Sequence, residues 1–114
     1  MILLDTDVCI ELLRGNKRVI QKRKEEDDPV AVSFMTLAEL FYGAEKSSRP
    51  GKNIVLIEQF ILTVAVLHSD NSIIKKFSEL KTRLENSGIP LTDADLFIAA
   101  TTLTKCNKLI SGNI

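Results

Sequence analysis

The sequence predicts an α/β fold, a parallel sheet of about four to five short strands with helices on both faces. Four apolar runs, residues 2–4, 30–32, 63–67 and 109–110, are each too short for a helix. Between them, apolar residues recur at helical spacing. Because strands of a parallel sheet are covered on both faces, they appear as continuous apolar runs. Strands that alternate with helices therefore favour the α/β class.

The helices are predicted from their apolar stripes and their ends. The first, from about Asp7 to Arg14, ends at Gly15. The clearest has its apolar residues within 73–84 and ends near Gly88. Three further stripes consist of Leu37, Leu40, Phe41 and Ala44, then Ile54, Ile57, Phe60 and Ile61, and finally Leu96, Ala99, Ala100 and Leu103.

The composition is that of a single globular domain, expected to span residues 1–114. Hydrophobic residues make up 45% of the chain and charged residues 26%. Basic and acidic residues number 15 each, so the net charge is zero. The whole molecule therefore does not attract nucleic acid or an anionic membrane, and any such binding must be local.

The sequence also favours a cytoplasmic location. The apolar start of the chain meets Asp5 long before it could form a secretory leader. The longest uncharged stretch in the apolar middle, residues 59–69, is about half the length of a membrane span. Cys9 and Cys106 are far apart in predicted helices, which indicates buried thiols in a reducing compartment rather than a disulfide.

Opposite charges follow one another in the segment from Arg14 to Asp28, which carries six basic residues and then four acidic ones. A solvated helix face is the more ordinary interpretation. The alternative is a basic strip that guides a phosphate backbone.

Four acidic residues occupy notable positions in the predicted fold. Asp5 directly follows the first strand, and Glu39 lies six residues past Ser33 at the end of the second. Asp93 and Asp95 open the last helix. Each acid is thus expected at the start of a helix.

Helix capping accounts for these acids when each is taken singly. Asp5 suits an N-cap, and the pairs Thr36-x-x-Glu39 and Thr92-x-x-Asp95 fit the capping-box pattern. However, the carboxyl ends of parallel strands lie at one edge of a sheet, where ligands bind. Asp5 and Glu39 are then expected to be neighbours.

A metal site follows if the helix carrying Asp93 and Asp95 begins at that same edge. Three or four carboxylates would then share one site with few basic residues nearby in sequence, and like charges repel. Mg²⁺ or Mn²⁺ resolves such an oxygen-only cluster most simply, and these ions also bridge to phosphate. The acids therefore predict metal-dependent chemistry on a phosphate ester.

Other chemistries have less support. The chain has a single histidine, His68, no zinc-ligand spacing around its cysteines and no phosphate-binding glycine loop. A competing interpretation takes Asp5-Thr6-Asp7 as the nucleophile motif of haloacid-dehalogenase-like phosphatases, with Asp5 as nucleophile. That site needs an acidic pair after a later strand, and residues 109–113 contain no acid.

Three motifs together resemble the PIN-domain ribonuclease toxins of the VapC type. In order along the chain, they are Leu3-Leu4-Asp5-Thr6-Asp7, Ser33-x-x-Thr36-Leu37-Ala38-Glu39-Leu40-x-x-Gly43 and Pro90-x-x-x-x-Asp95-x-x-Ile98-Ala99-Ala100. The resemblance implies a small α/β domain that cleaves RNA with Mg²⁺ or Mn²⁺. It also implies a homodimer and inhibition by a cognate VapB-type antitoxin whose tail occupies the active groove.

The resemblance also implies roles for single residues. Asp5, Glu39 and Asp95 match the family's metal-binding acids, and Asp93 an auxiliary acid. The positions with a lesser implied role near the site are Thr6, Asp7, Ser111 and Asn113.

The family pattern continues beyond the end of this chain with a further acidic or polar segment and a final strand. We therefore expect a PIN domain that lacks its carboxyl-terminal segment, so that a fourth site acid is not assigned. This leaves open a non-catalytic alternative, in which a truncated PIN module uses its acidic groove only to dock a partner's arginine-containing tail.

Overall fold

A computed structural model describes residues 1–111 and contains one sheet of four parallel strands. The strands are β1 (Ile2–Leu4), β2 (Val30–Ser33), β3 (Ala65–Leu67) and β4 (Lys108–Ile110). Their order across the sheet is β3-β2-β1-β4. Leu3 of β1 is in register with Ala31 of β2 on one side and Leu109 of β4 on the other. The predicted parallel sheet is therefore confirmed.

Six α-helices surround this sheet in the described part of the chain. They are α1 (Thr6–Leu13), α2 (Lys17–Lys24), α3 (Phe34–Glu45), α4 (Pro50–Phe60), α5 (Asn71–Asn86) and α6 (Asp93–Lys105). A 3₁₀ turn, Ile61–Thr63, follows α4. None of the helices within residues 1–111 combines the length and the apolar character needed to cross a membrane.

Alternate residues of the central strands supply two separate cores. Leu4 and Val32 pack against Leu40 of α3 and Phe60 of α4, while Leu3 and Ala31 pack against Ile98 of α6. Side chains alternate between the two faces of a strand, so each core lies on its own face of the sheet. The prediction of helices on both faces is confirmed.

The edge strands differ from the prediction. Leu109 in β4 is 38% exposed, so the expectation that this strand is buried on both faces is wrong. Its described pairing is with β1 alone, which makes it an edge strand of this sheet. The apolar run of residues 63–67 forms a strand only from Ala65, because the preceding residues close the 3₁₀ turn. One residue of α6 also differs from the prediction: Leu103, expected in the apolar stripe of this helix, is 63% exposed.

Helix α6 runs antiparallel to the strands. Just past its end, the Asn107 amide donates to the Met1 carbonyl at the amino edge of the sheet, at 2.9 Å. Its middle packs through Ile98 beneath the central strands. Nearer its start, the Phe97 ring meets the ring of Phe34, the residue that follows β2, with 5.4 Å between centroids. The first turn of α6 therefore lies at the carboxyl edge of the sheet.

Contacts at both ends hold α5 antiparallel to α6. Lys105 at the end of α6 pairs with Asp70, the N-cap of α5, at 2.6 Å. Lys81 of α5 pairs with Asp93 at the start of α6, at 3.1 Å. Between these ion pairs, the rings of Phe77 and Phe97 stack with centroids 4.0 Å apart. This packing holds the first turn of α6 in place.

Shortening Leu3 tests the sheet core. Leu3 is fully buried between β2 and β4, so Leu3→Ala should lower the free energy of unfolding by about 3 kcal/mol through lost burial and the cavity that it leaves. Leu91→Ala, at a half-exposed position before α6, is the matched control and should change stability by less than about 0.5 kcal/mol. Urea unfolding measures both, and equal losses would contradict the assigned core.

The Asp70 carboxylate should remain ionised in unusually acidic solution. The Lys105 ammonium, the Ser72 hydroxyl and the Ile73 amide, in that order, hold its pKa well below its ordinary value. Because the folded-state pKa is depressed, the resulting stability is present above the unfolded pKa of about 4 and is lost as the pH falls through the folded pKa. Lys105→Met should raise the pKa of Asp70 toward its ordinary value, which ¹³C NMR of the carboxyl carbon measures. An unchanged titration would exclude this ion pair in solution.

Candidate functional site

Asp5 is anchored at the carboxyl edge of the sheet, where β1 ends. Its backbone amide donates to the Ile110 carbonyl of β4 at 2.9 Å, and its side chain caps α1 by accepting the Thr6 amide at 2.7 Å. The expected N-cap role is therefore confirmed. Since this bond engages Oδ1, capping leaves the second carboxylate oxygen for another partner.

Thr6 connects Asp5 to Glu39. Its hydroxyl donates to Glu39 Oε1 at 2.7 Å, while its amide donates to Asp5. The two carboxylates come from the ends of neighbouring strands, because β1 and β2 are paired in parallel and α1 and α3 begin directly after them. One threonine thus contacts both acids, which the structure brings to the same place.

The expected capping box in α3 does not form. The N-cap of this helix is Ser33, whose hydroxyl accepts the Thr36 amide at 3.0 Å. Glu39 lies in the second turn, not at the helix start, because α3 begins at Phe34. Its carboxylate is thereby free of a capping role and bonds Thr6 instead.

Asp93 and Asp95 both lie in the first turn of α6 and have different surroundings. Thr92 caps the helix by accepting the Asp95 amide at 3.1 Å, as its half of the predicted capping box requires. Asp93 pairs with Lys81, whereas the Asp95 side chain is exposed and makes no ion pair with a described residue. Negative charge is favourable at this end of a helix.

The structure does not gather all the predicted acids into one closed cluster. Within residues 1–111, no group of three His, Cys, Asp or Glu side chains is close enough to hold a metal ion. Asp5 and Glu39 form a pair through Thr6, and Asp95 lies at the same edge without a bond to either. Asp5, Glu39 and Asp95 therefore lie at the same edge of the sheet without forming a closed ligand cluster.

The donor chemistry of these acids nevertheless fits a divalent cation. Among the described residues, no ion pair neutralises Asp5, Glu39 or Asp95, in contrast to Asp93. Carboxylate oxygens that lack a basic partner are the ligands that Mg²⁺ and Mn²⁺ prefer. The edge thus has uncompensated negative charge of the kind that such an ion would offset.

Cys9 lies beneath this edge, one turn into α1. Burial, together with the negative charge of Asp5, raises the pKa of its thiol to about 12. The thiol is therefore neutral near pH 7 and provides neither a nucleophilic thiolate nor a soft metal ligand. Cys106 is also a free thiol, but the expectation that it is buried in a helix is wrong, because it is the half-buried C-cap residue that follows α6.

An apolar groove of about 300 Å³ begins beside Glu39, between α1, α3 and α4. Its walls include Leu13, Leu40 and Ile57, and Arg14 and Glu39 also line it. The groove therefore combines an apolar surface with one charge of each sign.

Most of the basic segment is exposed on α2. Arg23 is the half-buried exception, and its guanidinium donates to the Thr63 carbonyl at 2.8 Å. The exposed basic residues of the segment are Arg14, Lys17, Arg18, Lys22 and Lys24. The ordinary interpretation, a solvated helix face, agrees with this exposure.

Several site features follow from the fold and had no clear signal in the sequence. Lys81 reaches Asp93 only because α5 packs against α6. Thr36 could have been singled out as a polar residue one turn after a buried strand, but its spacing to Glu39 indicated a cap. Asp7 is exposed on α1, Ser111 is the last described residue, and Asn113 lies outside the described residues.

Comparisons with known proteins agree with this architecture. The model of the PIN domain family matches residues 2–113. Ribonuclease VapC2 from Haemophilus influenzae is 30% identical over 113 residues, which cover 98% of this chain and 86% of that protein. The tRNA(fMet)-specific endonuclease VapC from Shigella flexneri is 29% identical over 112 residues, with coverages of 97% and 85%.

The fold is also that of one chain in a solved VapBC2 structure. A chain in the crystal structure of VapBC2 from Rickettsia felis, bound to a DNA fragment from its promoter, superposes with a TM-score of 0.93. The two chains are 25% identical, and the match covers 100% of this chain and 89% of that one. These findings replace the phosphatase interpretation of Asp5. The chain belongs to the PIN domain family.

Proposed function

We propose that this protein is the toxin of a type II toxin–antitoxin system and hydrolyses RNA phosphodiester bonds. The observation that carries the proposal is the pair of carboxylates, Asp5 and Glu39, which Thr6 joins at the carboxyl edge and which form no ion pair with a basic residue among residues 1–111. Acidic sites of this kind act on phosphates through a hard cation. The ribonuclease and endonuclease names of the VapC relatives support RNA as the substrate.

In this proposal, Asp5, Glu39 and Asp95 hold Mg²⁺ or Mn²⁺. When bound, such an ion lowers the pKa of a water ligand and offsets the charge that develops on the phosphate oxygens. Thr6 orients the first two acids, and the first turn of α6 presents the third. The carboxylates themselves form no covalent intermediate with the substrate.

Asp93 has an auxiliary role in this proposal. It lies in the first turn of α6, two residues before Asp95, and pairs with the Lys81 ammonium. In this role Asp93 orients the attacking water or accepts its proton. It is not required as a metal ligand.

The partner proposed for the apolar groove is a VapB-type antitoxin. The structural neighbour from Rickettsia felis is such a complex. Leu13 and the exposed Leu56 offer apolar surface to a partner segment, while Glu39 offers an anion to a basic side chain. A segment seated there would also block access to Glu39, which accounts for inhibition.

Asp95→Asn tests the role of the third acid. The variant should lose Mn²⁺-dependent cleavage of purified tRNA by more than about 100-fold, because it removes one anionic ligand from the set. Without metal it should be as stable as the wild type or slightly more so, since asparagine preserves size and relieves repulsion. Mn²⁺ should raise the melting temperature of the variant less than that of the wild type.

Asp27→Asn is the matched control, because it removes an exposed acid far along the chain from the site. It should preserve both cleavage and the stabilisation by Mn²⁺. If Asp95→Asn instead loses several kcal/mol without metal, Asp95 supports the fold and its assignment to the site is wrong. Wild-type protein that binds a partner but never cleaves RNA would favour the non-catalytic module.

We also expect a homodimer formed through apolar helix surface. Leu62 after α4 is 86% exposed and Leu103 of α6 is 63% exposed, so the chain carries large apolar side chains that its own core does not cover. Light scattering at tens of micromolar protein should give twice the monomer mass. A monomer mass would remove this expectation and leave the proposed RNA chemistry intact.

A further inference from the structure

Three hydroxyl groups form a continuous chain of hydrogen bonds that ends on Glu39. The Ser33 and Thr36 hydroxyl oxygens are 3.4 Å apart, and those of Thr36 and Thr6 are 3.0 Å apart. The Thr6 hydroxyl then donates to Glu39 Oε1 at 2.7 Å. This series of hydrogen bonds therefore runs from the end of β2 to the candidate site.

The direction of this chain follows from the number of protons available. A carboxylate only accepts, and a hydroxyl has a single proton to donate. Thr6 gives its proton to Glu39, so in the bond between the two threonines Thr36 must be the donor and Thr6 the acceptor. Thr36 in turn accepts from Ser33. Each hydroxyl between the ends thus donates one bond and accepts one.

The two ends of the chain differ in burial. Ser33 and Thr36 are both 0% exposed, whereas Glu39 is exposed. An exposed glutamate side chain has many rotamers, and fixing it in one orientation costs conformational entropy. A buried hydroxyl that cannot find a water partner must keep its protein partners. The buried end therefore fixes the orientation of the exposed end.

We propose that Thr36 is a positioning residue, which acts through Thr6 to hold the Glu39 carboxylate beside Asp5. This inference rests on the proposed function, since it assigns Thr36 to the hydrolysis that Asp5, Glu39 and Asp95 support. Thr36 does not touch the reacting atoms. It fixes the Thr6 hydroxyl, and that hydroxyl contacts Glu39.

The side-chain hydroxyl of Thr36 can be removed without removing the helix cap. The cap bond joins Ser33 to the backbone amide of Thr36, so it remains available in Thr36→Val. Valine also preserves the branched shape in the core, whereas Thr36→Ser preserves the hydroxyl and loses a methyl group. The two variants therefore separate the hydrogen bond from the packing.

Thr101→Val provides a matched control. Thr101 is likewise 0% exposed, and its hydroxyl donates to the Phe97 carbonyl within α6 rather than toward Glu39. Any general cost of replacing a buried threonine by valine should therefore appear in this variant too.

The experiment measures Mn²⁺ binding by electron paramagnetic resonance without RNA, and then cleavage of purified tRNA. Thr36→Val should weaken Mn²⁺ binding by about 10-fold and lower kcat with little change in KM, as expected for loss of an outer partner of a ligand. Thr36→Ser and Thr101→Val should both stay within about 2-fold of the wild type. Wild-type behaviour of Thr36→Val, or equal losses in Thr36→Val and Thr36→Ser, would overturn the proposal.

A third readout distinguishes failure of this proposal from failure of the proposed function. If the wild type neither binds Mn²⁺ nor cleaves RNA, the proposed function is wrong. The orientation of Glu39 can still be read from its side-chain NMR couplings in metal-free protein. A single rotamer in the wild type that becomes averaged in Thr36→Val supports positioning, whereas identical couplings overturn it.

Discussion

The parallel pairing of β1 with β2 is the constraint on which the site depends. It brings the ends of two strands that are distant in sequence to the same edge, with Asp5 after one and α3 after the other. No long loop is needed to place the acids of the site. Asp5 is the N-cap of α1, Glu39 lies in α3, which follows β2 directly, and Asp95 lies in the first turn of α6. The register of two short strands therefore sets the separation of the carboxylates.

The sequence predicted the sheet because burial on both faces leaves a direct signal in a short chain. Runs such as residues 2–4 and 30–32 cannot be amphipathic helices, and both became buried central strands. The same pattern wrongly predicted that β4 is buried on both faces. An apolar strand at the edge of a sheet cannot be distinguished by its sequence from a central strand.

Prediction of the site was limited by ambiguity of spacing and by long-range packing. Thr36 and Glu39 are three residues apart, which suits a capping box and also places both on one helix face. The residue at which α3 begins decides whether Thr36 is the N-cap or lies inside the helix. Sequence patterns do not fix helix boundaries closely enough to make this distinction, and the helix in fact begins after Ser33. The pairing of Lys81 with Asp93 depends on how α5 packs against α6, and local sequence patterns do not predict the packing of two helices.

The protonated state of Cys9 has a consequence for how this edge responds to oxidants. Peroxides and disulfides react with the thiolate form, and a thiol with a pKa of about 12 presents almost none of it at neutral pH. Burial is the largest cause of this raised pKa, and the negative charge of Asp5 adds to it. The burial of Cys9 beneath the acidic edge thus keeps its sulfur in the thiol form, which reacts slowly with oxidants.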